Sequence, residues 1–124
     1  MRKRGGRAKP RRGEVWLVNF DPTIGSEIQK TRPAVVLQND IGNRFSSVTI
    51  VAAISSQFGD TLYPTEVLVE PPDGGLKTRS VVLLNQVRTV DGARLVKKMG
   101  ALRPATLEAV NSALAISLGL TDIS

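Results

Sequence analysis

Hydrophobic side chains along this chain come in short runs separated by turn formers. EVWLVNF, Glu14 to Phe20, is rich in β-branched and aromatic types and stops at Asp21-Pro22, a turn initiator. PAVVLQN (Pro33 to Asn39) and VTIVAAI (Val48 to Ile54) are continuous apolar runs, the pattern of strands buried on both faces. TEVLV (Thr65 to Val69) and SVVLLNQ (Ser80 to Gln86) bring the set to at least five strands, with Arg88 to Val90 and Leu95 to Met99 as weaker candidates. Breaks fall at IGNRFS, FGDTLYP, PPDGGLK and VDG. Short strands at this spacing predict a mainly β fold, an antiparallel sheet curled into a small barrel. Only the end of the chain reads as a helix. Pro104 suits a first helical position, and Leu107, Val110, Leu114 and Leu118 recur at helical spacing until Gly119 supplies a stop. The polar face of that helix carries almost no Lys or Arg, which predicts a lid on the barrel or a subunit contact and not a membrane-binding helix.

Composition narrows the class. At 124 residues the chain holds one core. No apolar run approaches the roughly 20 residues of a membrane span, and the start has no signal-peptide pattern, so a cytoplasmic protein with no membrane partner is expected. With no cysteine and no histidine, disulfides, thiol nucleophiles, Cys-type zinc sites and histidine acid/base chemistry are excluded. The formal charge of +6 is unevenly spread: the first 13 residues contain seven bases and no acid, leaving ten bases against eleven acids elsewhere. The high pI therefore belongs to the leading segment. Residues 1–12 are expected to be a disordered basic tail, either an incidental extension or a source of phosphate affinity, and residues 13–124 the folded domain.

The candidate chemistry lies in GSEIQKTRPAVVL, Gly25 to Leu37, where a charged loop enters a strand. A Ser-His-Asp arrangement lacks its histidine, the acids are scattered too singly for a metal site, and no Gly-rich phosphate loop opens a helix. Gly25 permits positive φ, and Pro33 holds Arg32 extended where the strand begins. Arg32 is a poor base but a good fixed cation for phosphate oxygens, Glu27 can accept a proton, and Lys30 can add charge. A solvated loop whose ions pair with one another has the same spacing.

GEVWLVNFDPTIGSEIQKTRPAVVLQNDIGNRF, followed by VTIVAAISSQ and SVVLLNQVRTVD, resembles the MazF/PemK family of toxin ribonucleases from about Gly13 to the final helix. The resemblance implies an SH3-like barrel of the CcdB/MazF kind with a C-terminal α-helix, a homodimer, and an acidic antitoxin as partner. It also implies metal-independent, sequence-selective cleavage of single-stranded RNA without a cofactor: the substrate's own 2′-OH attacks the adjacent phosphate, leaving a 2′,3′-cyclic phosphate and a 5′-OH. The family's catalytic arginine falls on Arg32 and its active-site hydroxyl on Ser55, where many members carry threonine. Glu27 and Gln57 match positions that contact the scissile phosphate or flanking nucleotides, and Ser26 and Lys30 stand beside them. Asn85-Gln86 replaces the Glu-Gln of close relatives at a base-reading position, so the cut sequence does not carry over. Two rival readings are a CcdB-like gyrase-binding toxin, whose terminal Trp-Gly-Ile is missing from LTDIS, and a catalytically idle RNA-binding barrel, for which stacking aromatics are few.

Overall fold

The computed structural model describes residues 9–22, 24–27 and 30–122. Its elements are β1 (Glu14–Asn19), β2 (Thr31–Val36), α1 (Asp40–Phe45), β3 (Val48–Ser55), β4 (Glu66–Val69), β5 (Ser80–Asp91), β6 (Leu95–Ala101) and α2 (Pro104–Ser117). The strands form one antiparallel sheet in the order β4-β5-β3-β2-β1-β6.

Alternation along the central strands divides the core in two. Trp16, Val18, Ala34, Val36, Val51 and Ala53 gather with Phe20, Val90 and Leu95, so five strands close around one cluster inside the curl. The intervening residues Val15, Val35, Ala52 and Ile54 face the other way. There they meet Val67 and Val69 of β4, Leu102, and Val110 and Ala113 of α2. The continuous apolar runs are thus buried on both faces, as their pattern predicts, and α2 covers the outer layer as a lid.

One expected break is structured, and two expected strands are one. IGNRFS contributes α1, whose six residues are too few to show a helical period; its start is fixed by the Asn39 side chain, which accepts from the Gly42 amide at 2.8 Å. The candidates Ser80 to Gln86 and Arg88 to Val90 are one strand, β5, with a bulge between its halves. On one side of the bulge Ala52 pairs with Val87, on the other Ile54 pairs with Val82. Leu83 to Gln86 therefore stand opposite Ala53 alone.

Residues 1–8 of the expected tail lie outside the described residues, but its last residues are attached to the barrel. Pro10 is buried, and the Arg12 guanidinium donates to Leu37 O at 3.0 Å and to Asn111 Oδ1 at 2.6 Å. The Arg12 amide, 2.6 Å from Asp40 Oδ1, leads the contacts that hold the Asp40 carboxyl below its ordinary range. Just beyond, Glu14 sits 8% exposed. Burial pushes its pKa up, but the Trp16 indole (3.0 Å), the Arg11 amide (2.9 Å) and the Lys98 ammonium (3.0 Å) together win, and the carboxyl is lowered.

Candidate functional site

Register brings two of the sequence candidates, Arg32 and Ser55, to neighbouring strand ends. Val18 pairs with Arg32 across β1 and β2, and Ala34 with Ala53 across β2 and β3. The second ladder ends at Ala34 and Ala53; Arg32 and Ser55 each lie two residues beyond it, at the positions that alternation gives to the same side of the sheet. Pro33 thus does what its place before the strand interior requires: Arg32 is extended, partly buried, and carried on a rigid strand instead of a loop.

The loop from Phe20 to Lys30 is stapled at its base. Phe20 N donates to Lys30 O at 3.0 Å and Lys30 N to Asp21 Oδ1 at 2.9 Å. Lys30 adopts positive φ (67°), as does Gly25 (61°), where the sequence predicts that freedom. Glu27 closes a turn of its own: its Oε1 accepts from Ile24 N at 2.8 Å while its amide donates back to Ile24 O at 3.2 Å. Two arginines hold the loop from outside. Arg88 donates to Phe20 O at 3.2 Å and lies 5.6 Å from that ring's centroid; Arg94 donates to Asn19 O at 3.1 Å and also to Asp21 O.

Two recesses result. Ser26, Glu27, Asn85, Gln86 and Arg88 line one of about 210 Å³. Asn85 and Gln86 reach it from the bulged stretch of β5, the usual way a strand re-aims side chains beside a site. Arg32 borders the other, of about 200 Å³, together with Lys77, Thr78, Ser56 and Ser80. Its lining holds two cations and no acid, which suits a phosphate.

Ser55 lines neither recess. It is buried, and its Oγ accepts from Gln57 N at 3.0 Å and reaches Gln57 O at 3.2 Å. Its hydroxyl is thereby oriented by the backbone that follows, the arrangement of a serine turn. Gln57 lies beside it, exposed, and Lys30 is exposed as well; neither lines a recess. Among the described residues no three carboxylates gather as metal ligands would.

Sequence reasoning missed Arg88 and Lys77. Arg88 follows the Asn85-Gln86 pair by two positions in QVRTV, a signal that became readable only once the bulge placed both around Glu27. Lys77 comes from a turn between β4 and β5 with no pattern of its own, and only the fold carries it to Arg32.

Residues 11–118 match the family described as PemK-like, MazF-like toxin of type II toxin-antitoxin systems. Endoribonuclease EndoA of Bacillus subtilis (strain 168) is 44% identical over 112 residues, covering 90% of this chain and 97% of that protein. Endoribonuclease MazF of Staphylococcus saprophyticus is 43% identical over 113 residues, covering 91% and 94%. Among solved structures, MazF from Deinococcus radiodurans superposes with a TM-score of 0.78 at 26% identity, covering 90% of this chain and 98% of that one. A MazE-MazF structure from the same organism gives 0.68 at 25% identity, with the same coverage.

Proposed function

The chain belongs to the PemK-like, MazF-like toxins of type II toxin-antitoxin systems, and from that premise we propose that it is a sequence-selective endoribonuclease that cuts single-stranded RNA without a metal ion. The observation that carries the reading is the recess at the rim that Arg32 borders with Lys77, two cations and no acid, reached just beyond the last β2–β3 pair, Ala34 with Ala53. Such an arrangement has a place for a phosphate but no carboxylate or imidazole in its lining to activate one of its hydroxyls, which fits a reaction whose nucleophile is the substrate's 2′-OH. The 2′-oxygen attacks the adjacent phosphorus, the 5′-oxygen leaves with a proton, and the products carry a 2′,3′-cyclic phosphate and a 5′-OH.

In this reading Arg32 meets the negative charge that builds on the phosphoryl oxygens, and its fixed protonation keeps it from competing for the proton. Ser55 offers its hydroxyl to the same phosphate by giving up the bond to Gln57 O, while the Gln57 amide still orients its oxygen. Glu27 takes the 2′-OH proton or positions the ribose. Ser26, Asn85, Gln86 and Arg88 surround the neighbouring nucleotide; Lys30 and Gln57 flank the path on the rim. The chain works as a homodimer in the cytoplasm and is held inactive by an acidic antitoxin that covers this cationic rim, in keeping with the pairing of MazF with MazE in the Deinococcus structure.

The test is to incubate the purified protein in EDTA with single-stranded RNA, matching DNA and an RNA duplex, and to map the ends. Cleavage of the single-stranded RNA alone, with cyclic-phosphate ends, is the expected result. Cleavage that needs an added divalent ion, or ends carrying a 5′-phosphate, would overturn the chemistry.

A further inference from the structure

A second basic surface lies at the far end of β2. The strand runs from Arg32 at the rim toward Leu37, and α1 follows at Asp40, so α1 stands on the order of 20 Å from the proposed cut site at about 3.3 Å per extended residue. Lys9, Pro10 and Arg11 of the entering segment and Asp40, Ile41, Arg44 and Phe45 of α1 enclose a groove of about 370 Å³ there.

Phe45 is 76% exposed, yet the Arg44 guanidinium lies only 5.2 Å from its ring centroid. A largely exposed ring with a guanidinium over one of its faces leaves the other face for an unpaired base to stack on while a phosphate finds the cation. Lys9 reaches the other end of α1, 3.5 Å from Ser46 O. Asp40 is the one acid in the lining, and Arg11 (3.6 Å) and the Arg12 amide already engage it. The net charge of the lining is positive. The chain upstream of Lys9 adds Arg2, Lys3, Arg4 and Arg7 with no acid.

We propose that this groove is a second contact for single-stranded RNA, gripping a stretch of the substrate outside the cut site by stacking on Phe45 and by phosphate contacts to Arg44, Arg11 and Lys9. It rests on the ribonuclease reading and deepens it: long RNAs are held at two places, short ones at one. A polyphosphate strand matches a run of cations with one stacking face better than an acidic amphipathic peptide does, because such a peptide needs a broad apolar floor, and here Ile41 and Phe45 are the only large apolar side chains in the lining.

The experiment uses the full chain and 2′-O-methyl RNA, which lacks the attacking hydroxyl, in two lengths: one just spanning the cut sequence, one extended on both sides. Binding is read by fluorescence anisotropy across salt, and cleavage is read separately on unmodified RNA of both lengths. Wild type should bind the extended RNA on the order of tenfold more tightly than the short one. Arg44→Gln with Phe45→Ala should erase that advantage, leave the short RNA bound and cut as before, and make the salt slope shallower by about 0.7 for each phosphate the protein no longer neutralises. Phe45→Tyr, which keeps a stacking face, should keep the advantage. Equal affinity of wild type for both lengths, or an advantage that survives the double variant, overturns the proposal. So does a result in which Phe45→Tyr and Phe45→Ala behave alike, or one in which the double variant loses affinity for an acidic peptide and not for RNA. Absence of cleavage with the length advantage intact instead sinks the ribonuclease reading and leaves the groove standing.

Discussion

Arg32 carries a charge at a strand end and little of the core, so Arg32→Ala should remove activity without unfolding the protein. Losing one such donor costs on the order of 10² to 10³ in rate; single-turnover cleavage of a folded variant at nearly the wild-type rate would end its assignment. Ser55 is a finer case. Its hydroxyl already serves Gln57, so a purely local role predicts that Ser55→Ala changes stability and not chemistry. A phosphate contact made in the transition state predicts the reverse: Ser55→Ala lowers kcat far more than affinity, and Ser55→Thr, with its stiffer χ1, keeps or raises it. At the opposite end of the barrel, Glu14 ties stability to pH. Its folded pKa is lowered, so its contribution is present above the unfolded value and is lost as pH falls through the folded one. Melting curves from neutral pH down through the carboxylate range should show Glu14→Gln losing less stability on acidification than wild type.

At the scale of elements, what the sequence concealed is what depends on contacts between distant segments. The apolar runs of β1, β2 and β3 were legible because both faces are buried and every residue had to be apolar. Arg32 could be singled out through Pro33, whereas Ser55 could be singled out only through the family resemblance. The bulge was not, because Leu83 to Gln86 look like any strand and become irregular only when β3 offers them one partner. Nor was the cap of α2. Arg103 stands at its N-cap without a capping side chain, and the work falls to Asp73, in a 3₁₀ turn some thirty residues earlier, which accepts from the Arg103 amide at 2.8 Å and from Thr106 Oγ1 at 2.6 Å. Asp73→Ala should therefore cost about 1 to 3 kcal/mol, read as a lower denaturation midpoint, with Asp73→Asn recovering part of the loss. An alanine variant as stable as wild type would show that the cap carries no weight.

For the whole molecule, charge and fold are separable. The body from residue 14 onward is close to neutral while the leading segment holds seven bases, and from Lys9 onward that segment is fastened by the contacts of Pro10, Arg11 and Arg12. Deleting residues 1–8 should then leave the melting temperature unchanged, weaken RNA binding, and flatten its salt dependence without moving the cut position. A shifted cut in the truncated protein would contradict that separation. The surplus in β5 has a consequence of another kind. Leu83 and Leu84 of this stretch are held by β4 and the core, while Asn85 and Gln86 lie at the register shift between the β3 ladder pairs, so the pair behaves like a type-piece in a fixed press: exchanging Asn85 leaves the ladder pairs as they are and changes the impression made. Asn85→Glu should alter which RNA sequences are cut while stability stays within about 0.5 kcal/mol, the range of a surface change. A lineage could retarget such an enzyme one substitution at a time, never passing through a misfolded intermediate.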